Sequence, residues 1–241
     1  MNVMTQPSVT AIIPAAGVGS RMNAELPKQY LSLAGKPILS HTVELLLSHP
    51  QITNVIVALG PEDRYFERLD IARHPDVTRV EGGKERADSV LNALNSMNND
   101  RWALVHDAAR PCVPLDDISS LLSVILRDDV VGGILATPVR DTMKRASTDN
   151  TGCVSHTESR DNLWHALTPQ LFPNVLLQQA LSKALSDGVA VTDEASAIEY
   201  VGANVALIDA SPINIKITHP ADLPLAEFYL HQRMKAKDIC E

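Results

Sequence analysis

The chain has 241 residues, of which 45% are hydrophobic and 21% charged, so it can bury a full hydrophobic core. This composition excludes a disordered protein, and the formal net charge of -8 disfavours an extended nucleic-acid-binding surface. Any phosphate chemistry must therefore use a local basic pocket. The three cysteines are far apart, and no apolar run approaches the ~18 residues of a membrane span. We expect a soluble, cytosolic protein.

The first part of the chain alternates short β-branched runs with amphipathic segments. This alternation is typical of a parallel sheet covered by helices. It predicts an α/β fold with a single Rossmann-like, doubly wound, mostly parallel sheet. The predicted strands cover residues 9–14, 55–59, 77–80, 102–106 and 133–138. The predicted helical segments between them cover residues 37–48, 62–70, 85–97 and 116–127.

The alternation stops after residue 138. Polar residues and Gly152 interrupt the segment 140–162, which we interpret as a projecting β-hairpin arm at about 139–163, although composition alone allows a surface loop. No repeat or linker is evident, so residues 1–241 are predicted to form one domain that carries this arm. The remaining predicted elements are helices near 173–187 and 193–201, strands near 204–209 and 213–217, and a helix over 221–235.

The segment after the first predicted strand has the composition of a phosphate-binding loop. Pro14 is followed by Ala15-Ala16-Gly17-Val18-Gly19-Ser20, whose small side chains let backbone N–H groups approach a ligand. Ligands of open parallel sheets bind at the carboxyl ends of the strands, where this loop lies. Arg21 and Lys28 add positive charge, and Pro27 prevents a long helix from carrying Lys28 away. We predict polyphosphate binding here, although a glycine-rich turn can also serve only as a connection.

Two common nucleotide-binding loops do not fit this segment. The chain lacks the G-x-x-x-x-G-K-[ST] pattern, and Met22 stands where G-x-G-x-x-G requires its last glycine. The strand that ends at Leu59 is followed by Gly60-Pro61, and not directly by the acidic residue expected of a dinucleotide site. A dehydrogenase is therefore disfavoured.

A series of short motifs extends over nearly the whole chain. They are Pro14-Ala15-Ala16-Gly17-x-Gly19-x-Arg21-Met22, Pro27-Lys28-Gln29-Tyr30, Gly82-Gly83-x-x-Arg86-x-x-Ser89-Val90, Val105-His106-Asp107-Ala108-Ala109-Arg110-Pro111, Pro138-Val139-x-Asp141-Thr142-Met143-Lys144, Trp164-His165-Ala166-Leu167-Thr168-Pro169-Gln170, Thr192-Asp193-Glu194-Ala195 and Asn214-Ile215-Lys216-Ile217-Thr218. Together they resemble the methylerythritol phosphate cytidylyltransferase family. The resemblance implies that the chain joins CMP from CTP to a sugar-alcohol phosphate and releases pyrophosphate, in the non-mevalonate route to isoprenoid precursors.

The resemblance also implies which residues act on the reacting phosphates. Arg21 and Lys28 match the two catalytic cations of the family, which suits a reaction that builds charge on the α-phosphoryl oxygens. The family uses Mg²⁺, and we assign it to Asp107, since a carboxylate at a strand end suits a hard cation that bridges phosphate oxygens. The alternative for Asp107 is that it caps the following turn.

The base and the second substrate are assigned by the same resemblance. Gly82, Gly83 and Ser89 are expected to bind cytosine, through backbone groups and one hydroxyl. Lys84 stands where family members can carry an aspartate, so only backbone contacts are predicted there. Arg86 is expected either to support this loop or to contact the ligand.

The acceptor phosphate is expected at Arg110 and Lys216, with Thr142 at the base of the arm. Arg160 and Thr168 match residues that reach the active site of the other subunit, so the resemblance implies a homodimer with arm exchange. Three alternatives remain open: a ribitol-5-phosphate cytidylyltransferase, another sugar-phosphate nucleotidylyltransferase, and a non-enzymatic nucleotide-binding module. The cations at Arg110 and Lys216 argue against the last.

Two further groups of residues have a structural interpretation. The histidines show no metal-binding spacing, so His106 and His165 are expected to be structural. Asp193 and Glu194 are predicted to cap and charge the N-terminus of the helix that follows Thr192.

Overall fold

The structure is a computed structural model that describes residues 8–17, 26–99, 101–149 and 152–238. Of the predicted site residues, Gly19 and Arg21 lie outside these ranges. Within them, every helix is too short or too polar to cross a membrane.

Strands and helices alternate along most of the chain. The strands are β1 (Val9–Pro14), β2 (Ser32–Leu33), β3 (Lys36–Pro37), β4 (Ile52–Leu59), β5 (Val77–Glu81), β6 (Trp102–Val105), β7 (Gly132–Pro138), β8 (Met143–Ala146), β9 (Val154–Glu158), β10 (Trp164–Pro173) and β11 (Val205–Asp209). The helices are α1 (Ile38–Leu47), α2 (Arg86–Asn95), α3 (Leu115–Leu122), α4 (Asn174–Ser186), α5 (Glu194–Tyr200) and α6 (Asp222–Asp238). Short 3-10 turns cover Lys28–Tyr30, Phe66–Arg68, Asp70–Arg73 and Ser123–Leu126.

The central sheet has seven strands in the order β11-β7-β10-β6-β1-β4-β5. Strand β10 is antiparallel to β6 and β7, whereas the other neighbouring strands are parallel. The chain passes from β1 to β4 and β5, then crosses back to β6 on the other side of β1. This reversal creates a switch point between β1 and β6, where open α/β sheets bind ligands. The prediction of a Rossmann-like, mostly parallel α/β sheet is confirmed.

Strand β1 is buried on both faces because the sheet has helices on both sides. Val9, Ala11 and Ile13 pack in one apolar cluster with side chains of α1 and α3. Ile12 points to the opposite face, into a cluster with α2, α4 and α5. A strand covered on both faces appears as a nearly continuous apolar run in the sequence, and residues 9–14 show this with Thr10 as the one polar member.

Two predicted elements differ from the structure, and one strand of the structure was not predicted. Strand β10 was not predicted, because Pro169 and the polar residues beside it do not look like a central strand; the ladder with β7 shifts register between Ala166 and Gln170. The segment predicted as a helix over 62–70 instead contains 3-10 turns. The strand predicted over 213–217 is absent. Its residues alternate as in a strand, but within the described ranges no neighbouring strand pairs with them. Of their backbone N–H groups, only that of Ile217 bonds another described segment, donating to the Ala109 carbonyl at 2.9 Å.

Within the predicted arm, β8 and β9 form a separate two-stranded antiparallel sheet. Most of its side chains are exposed. Its projection towards a second subunit remains a prediction.

Candidate functional site

Two adjoining cavities open at the carboxyl ends of the parallel strands. The larger has a volume of about 320 Å³ and lies between the loop after β1, the start of α2 and the loop after β6. The second, of about 270 Å³, extends towards β10 and α5. Arg86, Asp107 and Lys216 line both cavities. The site therefore has two compartments with charged side chains at their junction.

The loop after β1 forms one wall of the larger cavity through Pro14, Ala15, Ala16 and Gly17. The buried side chain of Gln29 donates from Nε2 to the Ala15 carbonyl at 2.7 Å. Because Gln29 belongs to the same 3-10 turn as Lys28, this bond fixes the turn against the loop. Lys28 lines the larger cavity, as the sequence predicted.

The loop before α2 forms the opposite wall and comes very close to the first loop. A Cβ added at Gly82 would lie 2.6 Å from the Ala16 Cβ, and one added at Gly83 would lie 2.1 Å from the Asp88 Cβ. Only glycine fits such contacts. Gly83 donates its N–H to Ser89 Oγ at 3.0 Å, and Ser89 donates to the Glu85 carbonyl at 3.2 Å. Gly83 and Ser89 line the larger cavity, while Gly82 packs behind it.

Asp107 lies at the junction of the cavities and contacts three cations. Its Oδ2 is 2.8 Å from Lys216 Nζ and 3.6 Å from Arg110 Nε. Its Oδ1 accepts from Arg86 Nε at 3.3 Å. Burial by itself would raise the pKa of Asp107, but Arg86, Lys216 and Arg110 outweigh it and hold the pKa well below its usual range. Asp107 is therefore a carboxylate at neutral pH.

Thr168 and His106 fix the backbone around Asp107. The Asp107 N–H donates to Thr168 Oγ1 at 3.0 Å, and Thr168 Oγ1 lies 3.1 Å from His106 Nδ1. His106 Nε2 lies 2.9 Å from the Arg110 carbonyl, which can only accept, so Nε2 carries the proton and Nδ1 accepts from Thr168. Burial lowers the pKa of His106 to about 4, in keeping with a neutral ring. His106 is structural in this chain, as expected.

Arg110 is buried behind the second cavity. It donates from Nη1 to the Asn214 carbonyl at 2.7 Å. Its Nε is buried and makes no hydrogen bond within the described part of the chain, since Asp107 is too distant for one. Arg86, Arg110 and Lys216 line the second cavity, so its wall carries positive charge suited to an anionic ligand.

Arg86 joins Asp107 to Glu194, which lies in the first turn of α5 as the sequence predicted. Arg86 Nη1 and Nη2 donate to Glu194 Oε1 and Oε2 at 2.6 and 3.1 Å. The side chain of Glu194 is only 1% exposed. Asp193 caps α5 as predicted, accepting from the Ser196 N–H at 3.0 Å. Glu194, by contrast, has an ion-pairing role that its place after a cap did not reveal.

The structure brings most of the predicted site residues together, with two exceptions. Thr142 and Arg160 are exposed and line neither of the two cavities described above. Arg160 Nη1 instead donates to the Arg140 carbonyl. Thr168 was expected to reach the site of the other subunit, but it lines the second cavity of its own chain. This difference follows from β10, which the sequence did not predict and which carries Thr168 to the end of β6.

Asp107 also determines whether the site can hold Mg²⁺. In the described ranges, no three His, Cys, Asp or Glu side chains are grouped to hold a metal ion. Mg²⁺ in phosphate-transferring enzymes usually needs only one or two carboxylates, because phosphate oxygens and water complete its shell. An ionised Asp107 that lines both cavities fits this minimal donor set.

Comparison with known proteins gives a consistent result. The family model described as 2-C-methyl-D-erythritol 4-phosphate cytidylyltransferase matches residues 9–232. A relative of that name from Alteromonas mediterranea is 62% identical over 234 residues, covering 97% of this chain and 98% of its own. One from Vibrio parahaemolyticus is 59% identical over 223 residues, covering 91% and 94%.

Solved structures agree with this assignment. The crystal structure of the Francisella tularensis 2-C-methyl-D-erythritol 4-phosphate cytidylyltransferase is 37% identical, with a TM-score of 0.79 over 92% of this chain and 99% of that chain. A 4-diphosphocytidyl-2C-methyl-D-erythritol synthase is 34% identical, with a TM-score of 0.80 over 94% of this chain and 100% of that chain. By sequence and by fold, the chain belongs to the 2-C-methyl-D-erythritol 4-phosphate cytidylyltransferase family.

Proposed function

We propose that this chain transfers CMP from CTP to 2-C-methyl-D-erythritol 4-phosphate and releases pyrophosphate, a step towards isoprenoid precursors. The observation that carries the proposal, beside family membership, is the pair of cavities that meet at Asp107. One cavity has the size and backbone lining for a nucleotide, and the other has cations for a second anion. A reaction that joins two phosphorylated substrates needs both.

The reaction requires alignment and charge neutralisation more than a protein nucleophile. An oxygen of the acceptor phosphate attacks the α-phosphorus of CTP, the new P–O bond forms, and the bond to the β-phosphate oxygen breaks. Lys28, on the wall of the larger cavity, is placed to stabilise the charge that develops on the α-phosphoryl oxygens. We assign the same role to Arg21, which lies outside the described residues.

The acceptor phosphate is assigned to the second cavity. Lys216 and Arg110 are part of its wall and carry positive charge towards an acceptor phosphate. A phosphate oxygen that accepts from the Lys216 ammonium would form a charge-assisted hydrogen bond. Asp107, 2.8 Å from Lys216 Nζ, keeps this ammonium at the junction between the two substrates.

Cytosine binding is assigned to the loop of Gly82, Gly83 and Ser89. Gly83 and Ser89 line the larger cavity, and Ser89 already supports the loop by accepting from Gly83. A wall this close to Ala16 suits a small pyrimidine. Asp107 would hold Mg²⁺, which would supply neutralisation of the phosphate charge.

The proposal includes one nucleotidyltransferase domain and an arm at about 139–163 that completes the site of a second subunit. Support comes from Thr142 and Arg160, which are exposed and line neither of the two cavities of their own chain. Mixing an Arg160→Ala subunit with a Lys28→Ala subunit should restore activity above either parent, since mixed dimers would contain one intact composite site. Absence of any recovery would contradict shared sites.

The direct test measures pyrophosphate release with Mg²⁺, each of the four common ribonucleoside triphosphates and each of two acceptors. We expect turnover only with CTP and 2-C-methyl-D-erythritol 4-phosphate. Turnover with ribitol 5-phosphate instead would favour the alternative cytidylyltransferase, which the names of the relatives do not support. Binding of CTP without turnover on either acceptor would point to a non-enzymatic module. Omitting Mg²⁺ in the same assay tests the metal requirement.

A further inference from the structure

Glu194 is the most deeply buried charged side chain near the site, although it lines neither of the two cavities. It is the first residue of α5, and it binds both Nη atoms of Arg86, at 2.6 and 3.1 Å. This bidentate geometry is the preferred one for a guanidinium and a carboxylate. Asp107, which faces the cavities, accepts from the same guanidinium only one hydrogen bond, from Nε at 3.3 Å. Arg86 is therefore shared unequally between two carboxylates.

The N-terminus of α5 is fixed so that Glu194 cannot easily move. Gln170 of β10 donates to Asp193 Oδ2 at 2.8 Å and accepts from the Ala195 N–H at 2.9 Å. One amide side chain thus binds the residues on either side of Glu194. The Glu194 carboxylate is held at the position from which it faces Arg86.

We propose that Glu194 is a positioning residue for the cytidylyl transfer: by holding both Nη atoms of Arg86, it prevents Arg86 from forming a bidentate pair with Asp107. The inference rests on the proposed function, and it adds a residue remote from both substrates. Asp107 then keeps Oδ2 for Lys216, at 2.8 Å. Glu194 acts on the reaction only through Arg86.

Loss of the Glu194 charge should redirect Arg86. A partly buried guanidinium seeks two parallel hydrogen bonds to a carboxylate, and Asp107 is the nearest one remaining. If Arg86 captured Asp107, Lys216 would lose its partner and its position at the junction of the cavities. Small misplacements of positioning groups can lower a rate by ~10²-fold.

The test compares Glu194→Gln with Glu199→Gln, a control on the exposed side of the same helix. Glu194→Gln should lower kcat by at least ~10-fold and raise the KM for the acceptor, because Lys216 is displaced, while the KM for CTP stays unchanged. The folded fraction, measured by circular dichroism, should stay unchanged. Glu199→Gln should behave like the wild type. Wild-type kcat for Glu194→Gln would overturn the proposal.

A second variant separates positioning from a merely structural role. Adding Arg86→Met to Glu194→Gln removes the guanidinium that captures Asp107, so the double variant should be more active than Glu194→Gln alone. A double variant no better than the single one would overturn the proposal.

The crystal structure of Glu194→Gln gives a readout that does not depend on activity. It should place Arg86 Nη atoms within ~3 Å of the Asp107 carboxylate. An Arg86 that stays on residue 194 would contradict the inference. If the wild type fails to turn over CTP and either acceptor, the proposed function falls, while this crystal structure still decides the role of Glu194.

Discussion

The charged side chains around Asp107 and those of the β8–β9 hairpin differ in burial far more than in geometry. On the hairpin, Arg145 Nε lies 2.8 Å from Glu158 Oε1, closer than the 3.3 Å between Arg86 and Asp107. Yet the side chain of Arg145 is 65% exposed, whereas that of Asp107 is 10% exposed. By distance alone, the hairpin pair would be the stronger ion pair. Burial reverses this order and makes the pair of Arg86 and Asp107 the stronger one.

The comparison shows where charge has consequences in this chain. An exposed pair exchanges readily with water, so either partner can be lost at little cost. A buried charge is tolerated only because its partners are present, and removal of one partner leaves another unpaired. The charges near Asp107 should therefore be sensitive to single substitutions in both activity and stability, and those of the hairpin only through a second subunit.

The largest effect is expected at Lys28. Lys28→Ala should lower kcat/KM by more than ~10²-fold, in line with the loss of one group that stabilises transition-state charge. The fold should be retained, because the variant leaves intact the bond by which the buried Gln29 side chain holds the turn to Ala15. Steady-state kinetics measure the change, with Lys183→Ala, an exposed lysine of α4, as control. Near-wild-type turnover would refute the catalytic role.

The next effect is expected on stability. Arg86→Met should lower the free energy of unfolding by about 2 kcal/mol, less than the ~3–5 kcal/mol of a fully buried pair because Arg86 is partly exposed. The cause is Glu194, which would stay buried without its partner. Urea unfolding measures the loss, and an unchanged midpoint would show that this pair is as dispensable as a surface one.

The matching change on the hairpin should have almost no effect. Arg145→Met removes the ion pair with Glu158, but both groups are solvated, so the urea midpoint should not change measurably. Performed in parallel with Arg86→Met, this experiment tests the comparison directly. A similar loss in both variants would mean that burial does not separate the two regions.

The last expected effect concerns the pH dependence of stability. Burial lowers the pKa of His49, so the unfolded chain binds a proton there more readily than the folded one. The stabilising contribution is complete above pH ~6.5 and is lost as pH falls towards the lower folded pKa. Urea midpoints between pH 7.5 and 5 should fall less steeply in His49→Gln than in the wild type. Equal slopes in the two proteins would contradict the argument.

Much of the fold could be predicted because the spacing of apolar residues and the alternation of strands and helices can be read from short stretches of sequence. Residues 9–14 illustrate this, since burial on both faces favours a nearly continuous run of apolar and β-branched residues. Strand β10 could not be predicted because Pro169 masks it, and its central place depends on pairing with β6 and β7. The alternation of 213–217 was misleading, since a strand also needs a neighbouring edge.

The site was predictable where chemistry is concentrated in short motifs. Lys28, Asp107 and Lys216 stand in such motifs and line one cavity. The partnership of Arg86 and Glu194 was not predictable, because the two residues are 108 positions apart and each has an adequate local explanation. Long-range ion pairs of this kind depend on tertiary packing, which the pattern of one sequence does not reveal.

The contact between Gly82 and Ala16 also limits how this chain can diversify. Any side chain at position 82 or 83 would collide with Ala16 or Asp88, so substitutions there are blocked before they can alter base preference. Lys84 is the next residue along and is exposed at the wall of the larger cavity. Selection or directed evolution towards a different nucleobase would therefore have its first viable step at Lys84.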